Sequence, residues 1–241
     1  MKKQTVLITG ANKGIGLETA RQLAAAGYHI FIGSRDKANG DKAVQQLQTE
    51  GYTDVEQLQI DVVNEQSVQQ AHDELAQRIG QLDVLINNAG IPGQFPQTPS
   101  SVSDDTMKQV FEVNVFGVIR TVRIFMDLLQ KADNPRIVNV SSGLGSLTLH
   151  SDPNWEFYPF KSAAYGPSKT TLNAYSVALA FELKDKFKVN VVDPGYTNTE
   201  FNNNQGYKKV EDAAAPIVQC ATLGADGYTG KYISDEGELP W

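Results

Sequence analysis

The sequence of 241 residues contains one cysteine, Cys220, and only three histidines, His29, His72 and His150. A single cysteine excludes an internal disulfide, and Cys220 reads as a small buried apolar residue on a late helix. The histidines lack ligand spacing, so no metal site and no histidine-based triad is expected. Long apolar runs are missing too; none approaches the roughly 20 residues of a membrane span. The basic start Met1-Lys2-Lys3 leads into Val6-Leu7-Ile8, too short for a signal-peptide core, so the expected location is the cytoplasm. There is no dense Lys/Arg block, and the net charge is −7. Nucleic acid and an anionic membrane are therefore not expected partners, and any anionic ligand must be held by a local site. Internal repeats and low-complexity linkers are also absent.

What is present is an alternation. Short β-rich runs fall at Thr5–Thr9, His29–Ile32, Val55–Ile60, Val84–Ile86, Arg136–Val140, Val189–Val192 and Tyr232–Ser234. Between them lie stretches with helical spacing, such as Leu17, Ala20, Leu23 and Ala24, then Val68, Ala71, Leu75 and Ile79. Met107 and Met126 likewise fit helical core positions. Strand–helix alternation over the whole chain predicts one α/β domain, 1–241, a doubly wound Rossmann-like fold with a seven-stranded, mainly parallel sheet and helices on both faces. Residues 1–90 would form mainly the cofactor-binding half and 91–241 the catalytic and substrate-binding half. Two irregular stretches, 91–103 and 143–162, follow strands at their carboxyl ends, where open α/β sheets place ligands.

The first strand runs into Gly10-Ala11-Asn12-Lys13-Gly14-Ile15-Gly16 and then into a helix. Glycines there allow a sharp turn and close approach of backbone to a pyrophosphate, and a helix N-terminus favours the anion. NAD enzymes usually carry an acid at the end of the second strand for the ribose 2′-hydroxyl. Here Ser34 occupies that position and Arg35 follows. A guanidinium can bind a 2′-phosphate with two hydrogen bonds, and Lys13 could reach the same group. This predicts NADPH in preference to NAD. Asp36, one residue later, is the competing candidate for the ribose.

Tyr165 and Lys169 are four apart and share one helix face. They follow the strand ending Ser141-Ser142, and Asn114 lies further upstream. Reduction of a carbonyl needs a hydride and a proton. A tyrosine, with an ordinary pKa of about 10, holds a proton at neutral pH. A nearby lysine is expected to lower that pKa toward the working range, and a serine hydroxyl can stabilise charge on the carbonyl oxygen.

Gly10-x-x-x-Gly14-x-Gly16, Asn87-Asn88-Ala89-Gly90, the set Asn114, Ser142, Tyr165 and Lys169, and Pro194-Gly195 together resemble the short-chain dehydrogenase/reductase family over essentially the whole chain. The resemblance implies an NADP-dependent oxidoreductase with Asn114, Ser142, Tyr165 and Lys169 as its catalytic tetrad. It implies Ser142, not Ser141, as the catalytic serine, Lys169 on the nicotinamide ribose, and Asn114 shaping its helix and holding a relay water. Asp61, with Val62, would serve the adenine. Asn88, Ala89 and Gly90 would flank the adenine ribose. Pro194, Gly195 and the backbone of Thr197 would fix the nicotinamide carboxamide, and Thr199 the carboxamide or pyrophosphate. An N-cap is the structural alternative for Asp61.

The segment between Ser142 and Tyr165 is longer than in most members and carries Trp155, Phe157, Tyr158 and Phe160. Together with Ala11-Asn12-Lys13-Gly14 it resembles the carbonyl reductase branch. There such an insertion covers helix faces used for oligomerisation, so a monomer is favoured and a homo-oligomer is the alternative. The aromatics either line the substrate entrance or anchor the loop. Residues 200–209, short and polar, imply an open substrate site. Trp241 either folds back on the domain or closes part of that site. The expected substrate is a small-molecule aldehyde, ketone or quinone. The alternatives are an NAD(P)-dependent alcohol dehydrogenase working oxidatively, a non-catalytic dinucleotide sensor and a nucleotide-sugar epimerase or dehydratase. The natural substrate, stereochemistry and physiological direction are not written in these motifs.

Overall fold

The structure is a computed structural model and describes residues 3–241. Its strands are β1 (Thr5–Thr9), β2 (His29–Ser34), β3 (Val55–Gln59), β4 (Val84–Asn87), β5 (Arg136–Val140), β6 (Lys188–Val192), β7 (Tyr232–Ser234) and β8 (Gly237–Glu238). They form one sheet in the order β3-β2-β1-β4-β5-β6-β7-β8. All seven expected strands are present and parallel. The count is eight because Gly237–Glu238 folds back antiparallel on β7, pairing Gly237 with Ser234. Both residues of β8 are exposed, so no apolar alternation marks this strand in the sequence.

The helices are α1 (Gly14–Ala25), α2 (Lys37–Thr49), α3 (Glu65–Arg78), α4 (Asp104–Phe111), α5 (Gly117–Leu129), α6 (Leu147–Ser151), α7 (Tyr165–Leu183) and α8 (Val210–Ala221). None is long and apolar enough to cross a membrane, among the described residues. Alternate strand residues feed two cores. Leu7 packs in one with Val68 and Leu75 of α3, Phe125 of α5 and Leu172 of α7. Val6 and Ile8 pack in the other with Leu23 of α1, Leu47 of α2 and Ile217 and Cys220 of α8. A sheet covered on both faces must be apolar at successive positions, which is why β1 reads as an unbroken run.

The strand order reverses between β1 and β4. The loops after both strands diverge there and leave a crevice at their carboxyl ends. Polar side chains knit the sheet to α7 beneath it. Asn87 Nδ2 donates to Asn139 Oδ1 at 2.8 Å, and Asn139 Nδ2 donates to Ser176 Oγ at 2.8 Å. All three are buried, so each amide or hydroxyl needs its partner, and the network fixes α7 on the strands.

Candidate active site

A cleft of about 1470 Å³ opens at the carboxyl ends of the strands. The glycine loop forms one wall. Gly10 and Gly14 have φ of +65° and +56°, where side chains are strained. A Cβ on Gly10 would lie 2.9 Å from Ala89 Cα, and one on Gly16 would lie 2.5 Å from Asn88 Nδ2. The two loops are thus packed backbone to backbone. Asn88 Nδ2 holds them together by donating to Thr9 O at 2.9 Å and Gly10 O at 3.1 Å. The first turn of α1 carries no acid, and its free N–H groups face this cleft beside Asn12, Lys13 and Ile15. A loop without side-chain bulk and a helix N-terminus without a competing carboxylate suit a pyrophosphate.

At the end of β2, the Ser34 hydroxyl is turned inward. It is 2% exposed and donates to Asp36 O at 2.8 Å. Asp36 is the N-cap of α2, with its carboxylate accepting from Asn39 N at 2.8 Å. Neither residue lines the cleft, whereas exposed Arg35 does. Lys13 stands at the mouth and pairs with Glu200. Asp61 is not the cap of α3; Asn64 is, accepting from Ser67 N. Asp61 and Val62 both border the cleft.

Tyr165, the first residue of α7, and Lys169, one turn on, border the same cleft as Ser142. Lys169 is 4% exposed. Its Nζ donates to Val140 O at 2.8 Å and lies 5.8 Å from the centre of the Tyr165 ring. Burial lowers the lysine to about 8, with Asp193 acting against the fall. The Tyr165 phenol is pushed up by burial, with the Ser142 hydroxyl opposing and Asp193 adding to the rise. The expected lowering of Tyr165 is therefore not what the protein alone produces; desolvation dominates the shift. Ser142 Oγ accepts from Leu144 N at 3.3 Å, which leaves its own O–H free to donate.

Asn114 does not line the cleft. It is fully buried in a π-helical turn, Glu112–Phe116, between α4 and α5, the kind of local irregularity found at functional sites. Its Oδ1 accepts from Ile91 N at 2.9 Å, and its Nδ2 donates to Ile91 O at 3.0 Å and Ser168 Oγ at 3.1 Å. A Cβ on Gly90 would lie 3.3 Å from Asn114 Oδ1 and 3.7 Å from Lys169 Nζ. Asn114 thus shapes its own helix and ties the Gly90–Ile91 loop to α7.

Pro194, Gly195, Thr197 and Thr199 also line the cleft. Thr197 Oγ1 is bound to Pro194 O and Gly195 O. Thr199 Cγ2 would touch a Cβ on Gly14 at 3.5 Å, which puts Thr199 against the glycine loop.

The family model for short chain dehydrogenases matches residues 4–209. The short-chain dehydrogenase anuI of Penicillium roqueforti is 37% identical over 98% of this chain and 96% of its own length. Salutaridine reductase of Papaver bracteatum is 30% identical over 99% and 96% respectively.

The chain belongs to the short-chain dehydrogenase/reductase family.

The solved structure of salutaridine reductase from Papaver somniferum superposes with a TM-score of 0.84 at 28% identity, covering 95% of this chain and 99% of that one. An NADPH-bound carbonyl reductase from chicken liver shares the fold, with a TM-score of 0.85 at 23% identity and full coverage of both chains.

In this short-chain dehydrogenase the part of the cleft that includes Tyr165 is aromatic. Phe95 and Phe160 face each other at 5.9 Å, and Phe201 lies 5.8 Å from the Tyr165 ring. All three remain about half exposed, at 51%, 50% and 42%. Trp155 packs on His150 and Phe157, and Trp155 and Phe157 line the cleft as Phe160 does, so aromatics of the insertion both pack together and line the cleft. Residues 200–209 form no α-helix. A 3-10 turn at Glu200–Asn202 ends in Asn203 and Asn204, at φ of +56° and +59°, a region asparagine tolerates. Trp241 folds back and stacks on Tyr232 at 5.4 Å.

Three site residues carried no motif. Gln97, in the loop after β4, accepts from Ala164 N and Tyr165 N. Asp193 accepts from Gly195 N at 2.9 Å, and burial raises its carboxyl. Tyr232 donates to Ser142 O. The position of Asp193 directly before Pro194-Gly195 was the one available signal. The other two contacts join positions far apart in the chain.

Proposed function

We propose that this protein is an NADPH-dependent reductase that converts an aldehyde, ketone or quinone to an alcohol, in the manner of the carbonyl reductases. The observation that carries the reading is the meeting of Ser142, Tyr165 and Lys169 in the cleft that the glycine loop also borders. Gly10, Asn12, Gly14, Ile15 and Gly16 would hold the pyrophosphate. Arg35 and Lys13 would take the 2′-phosphate, Asp61 and Val62 the adenine, and Asn88, Ala89 and Gly90 its ribose. Lys169 and Tyr165 would hold the nicotinamide ribose, and Pro194, Gly195, Thr197 and Thr199 the carboxamide end. NADPH supplies the hydride when bound.

The protein's own part is to orient the carbonyl and protonate it. Ser142 O–H donates to the carbonyl oxygen, where charge develops. Tyr165 O–H delivers the proton. Burial keeps that phenol protonated, which favours an acid in reduction over a base in oxidation. Asn114 keeps the first turn of α7 in register with the Gly90–Ile91 loop, and Lys169 ties the next turn to Val140 O at the end of β5. Phe95, Phe160 and Phe201 expose a divided apolar surface around Tyr165. Exposed rings gathered at one site favour a bulky, ring-bearing carbonyl over a short linear one.

A single chain holds every one of these residues, and a monomer is the state proposed. Val177 and Phe181 on α7, exposed at 45% and 73%, favour the homo-oligomer as the second reading, because the insertion leaves them uncovered. Sedimentation of wild type beside Phe181→Asp separates the two.

The test is loss of nicotinamide absorbance with NADPH, and separately NADH, across aldehydes, ketones and quinones, with Tyr165→Phe as control. Turnover that prefers NADPH and vanishes in the variant is expected. Binding of cofactor without turnover on any carbonyl overturns the enzymatic reading in favour of a dinucleotide sensor.

A further inference from the structure

The catalytic serine sits at the start of a tight turn. Ser142 is followed by a 3-10 turn, Gly143–Gly145, and then by α6. The carbonyl of Ser142 accepts from Gly145 N at 2.7 Å, which closes the turn locally. It accepts a second hydrogen bond from the hydroxyl of Tyr232, on β7. Tyr232 is fully buried, and the side chains of Asn173 and Ser141 also lie within hydrogen-bonding reach of its hydroxyl, so the hydroxyl sits where α7 and the turn meet.

The same hairpin grips the other end of the turn. Leu239 N donates to Tyr232 O at 2.7 Å and brings the chain back over β7. Ser146 Oγ then donates to Pro240 O at 2.7 Å, and Thr148 Oγ1 to Trp241 O at 2.7 Å. The Trp241 ring stacks on the Tyr232 ring, with 20° between their planes. Residues 142–148 are therefore clamped at three points, Ser142, Ser146 and Thr148, by residues 232–241. Beneath them, Ser141 Oγ donates to Asn173 Oδ1 at 2.6 Å and Asn173 Nδ2 to Gly145 O at 3.3 Å, which ties the turn to α7.

We propose that Tyr232 is a positioning residue for the catalytic serine, its hydroxyl fixing the Ser142 backbone from the C-terminal hairpin with the Trp241 ring holding it in place. The inference rests on the reductase reading for its catalytic consequence, but not for the clamp itself. A serine that must donate to a developing oxyanion gains from a backbone that cannot shift, because small misplacements weaken such a donor steeply. The π-face contact with Trp241 limits how far the Tyr232 ring can swing. Tyr232 touches neither the glycine loop nor Arg35, so the nucleotide end of the cleft is outside its reach.

Tyr232→Phe keeps the ring and the stack and removes only the hydroxyl; Trp241→Ala removes the stack and keeps the hydroxyl. Three measurements decide the matter: kcat and KM for a carbonyl substrate, NADPH affinity by fluorescence titration, and hydrogen exchange at the amides of residues 143–146. In Tyr232→Phe a fall of roughly tenfold in kcat is expected, the loss of one well-placed hydrogen bond. KM and NADPH affinity should stay near wild type while the 143–146 amides exchange faster. Trp241→Ala should move the same quantities in the same direction by less. Unchanged exchange in Tyr232→Phe overturns the clamp. So does a loss of kcat and NADPH affinity in equal proportion, which marks general destabilisation. Cofactor binding without turnover of any carbonyl in the wild type would instead defeat the reductase reading, and the exchange data would still decide the clamp.

Discussion

Gln97 caps the helix that Tyr165 begins. Its Oε1 accepts from Tyr165 N at 3.0 Å and Ala164 N at 3.2 Å, and its Nε2 donates to Pro92 O at 2.7 Å. Ala164, the formal N-cap, offers no side-chain acceptor, so a residue 68 positions upstream satisfies the first N–H of α7, while Ser162 Oγ accepts from Gly166 N. Removing it leaves buried groups unpaired, at about 1–3 kcal/mol in all. Gln97→Ala should lower the melting temperature by roughly 2–8 °C. It should also lower kcat about tenfold through the displaced Tyr165, with NADPH affinity little changed. Melting curves and steady-state kinetics check both; a variant with unaltered kcat would leave Gln97 a purely structural cap.

Lys169 sets a basic limit on the reaction. Held at about 8 by burial, it loses its charge as the pH rises past that value. The kcat/KM for reduction should fall above about pH 8 in wild type. Asp193 supports the charged lysine and raises the Tyr165 phenol. Asp193→Asn keeps an oxygen to accept from Gly195 N but removes the charge. The basic limb should then move to lower pH, because the lysine loses the anion that favours its protonated form. A pH profile of kcat/KM for the two proteins tests the sign; a limb that stays in place or moves upward contradicts the coupling.

The contrast between Tyr165 and Gln97 shows what a sequence carries. Seven strands were legible because a sheet buried on both faces must be written in β-branched and apolar residues. Tyr165, Lys169, Ser142 and the glycine loop were legible because their spacing follows from helix and turn geometry. Gln97 and Tyr232 were not, since their roles depend on hydrogen bonds to distant backbone atoms that any polar residue can make. The direction of the Tyr165 pKa was not legible either. Charge proximity can be guessed from a four-residue spacing, whereas desolvation depends on everything packed around the ring. The π turn at Asn114 was hidden because one inserted residue hardly disturbs helical periodicity.

Remote from the cleft, His72 joins α3 to α5. Its Nε2 meets Asp127 Oδ1 at 2.8 Å and its Nδ1 meets Asp73 Oδ1 at 2.9 Å. Burial lowers its pKa, but the two carboxylates outweigh that and the net shift is upward. A raised folded-state pKa stabilises fully below the unfolded value of about 6.5 and is lost as the pH climbs through the folded value. Both carboxylates are more than half exposed, so the stabilisation is at most about 1 kcal/mol. Urea unfolding at pH 5.5 and 8.5, with His72→Ala as reference, should show the wild type losing its advantage at the higher pH. An advantage that is flat or grows with pH contradicts the pairing.

Cofactor preference turns on what β2 does with its last polar residues. Ser34 is buried and bonded to Asp36 O, the Asp36 carboxylate caps α2, and neither lines the cleft. Arg35 is left exposed on the cleft wall and makes no ion pair among the described residues. A guanidinium in that position adds charge-assisted hydrogen bonds to a 2′-phosphate and nothing comparable to a 2′-hydroxyl. Arg35→Ala should therefore weaken NADPH binding by roughly 10- to 100-fold and leave NADH binding within about twofold, since no such contact is lost. Lys13 is already engaged by exposed Glu200, an ion pair worth little in water. Glu200→Gln should free that lysine and tighten NADPH modestly, without helping NADH. Fluorescence titration of the two variants with both cofactors reads these differences directly. Equal losses for NADPH and NADH in Arg35→Ala would mean that the arginine shapes the loop instead of reading the phosphate.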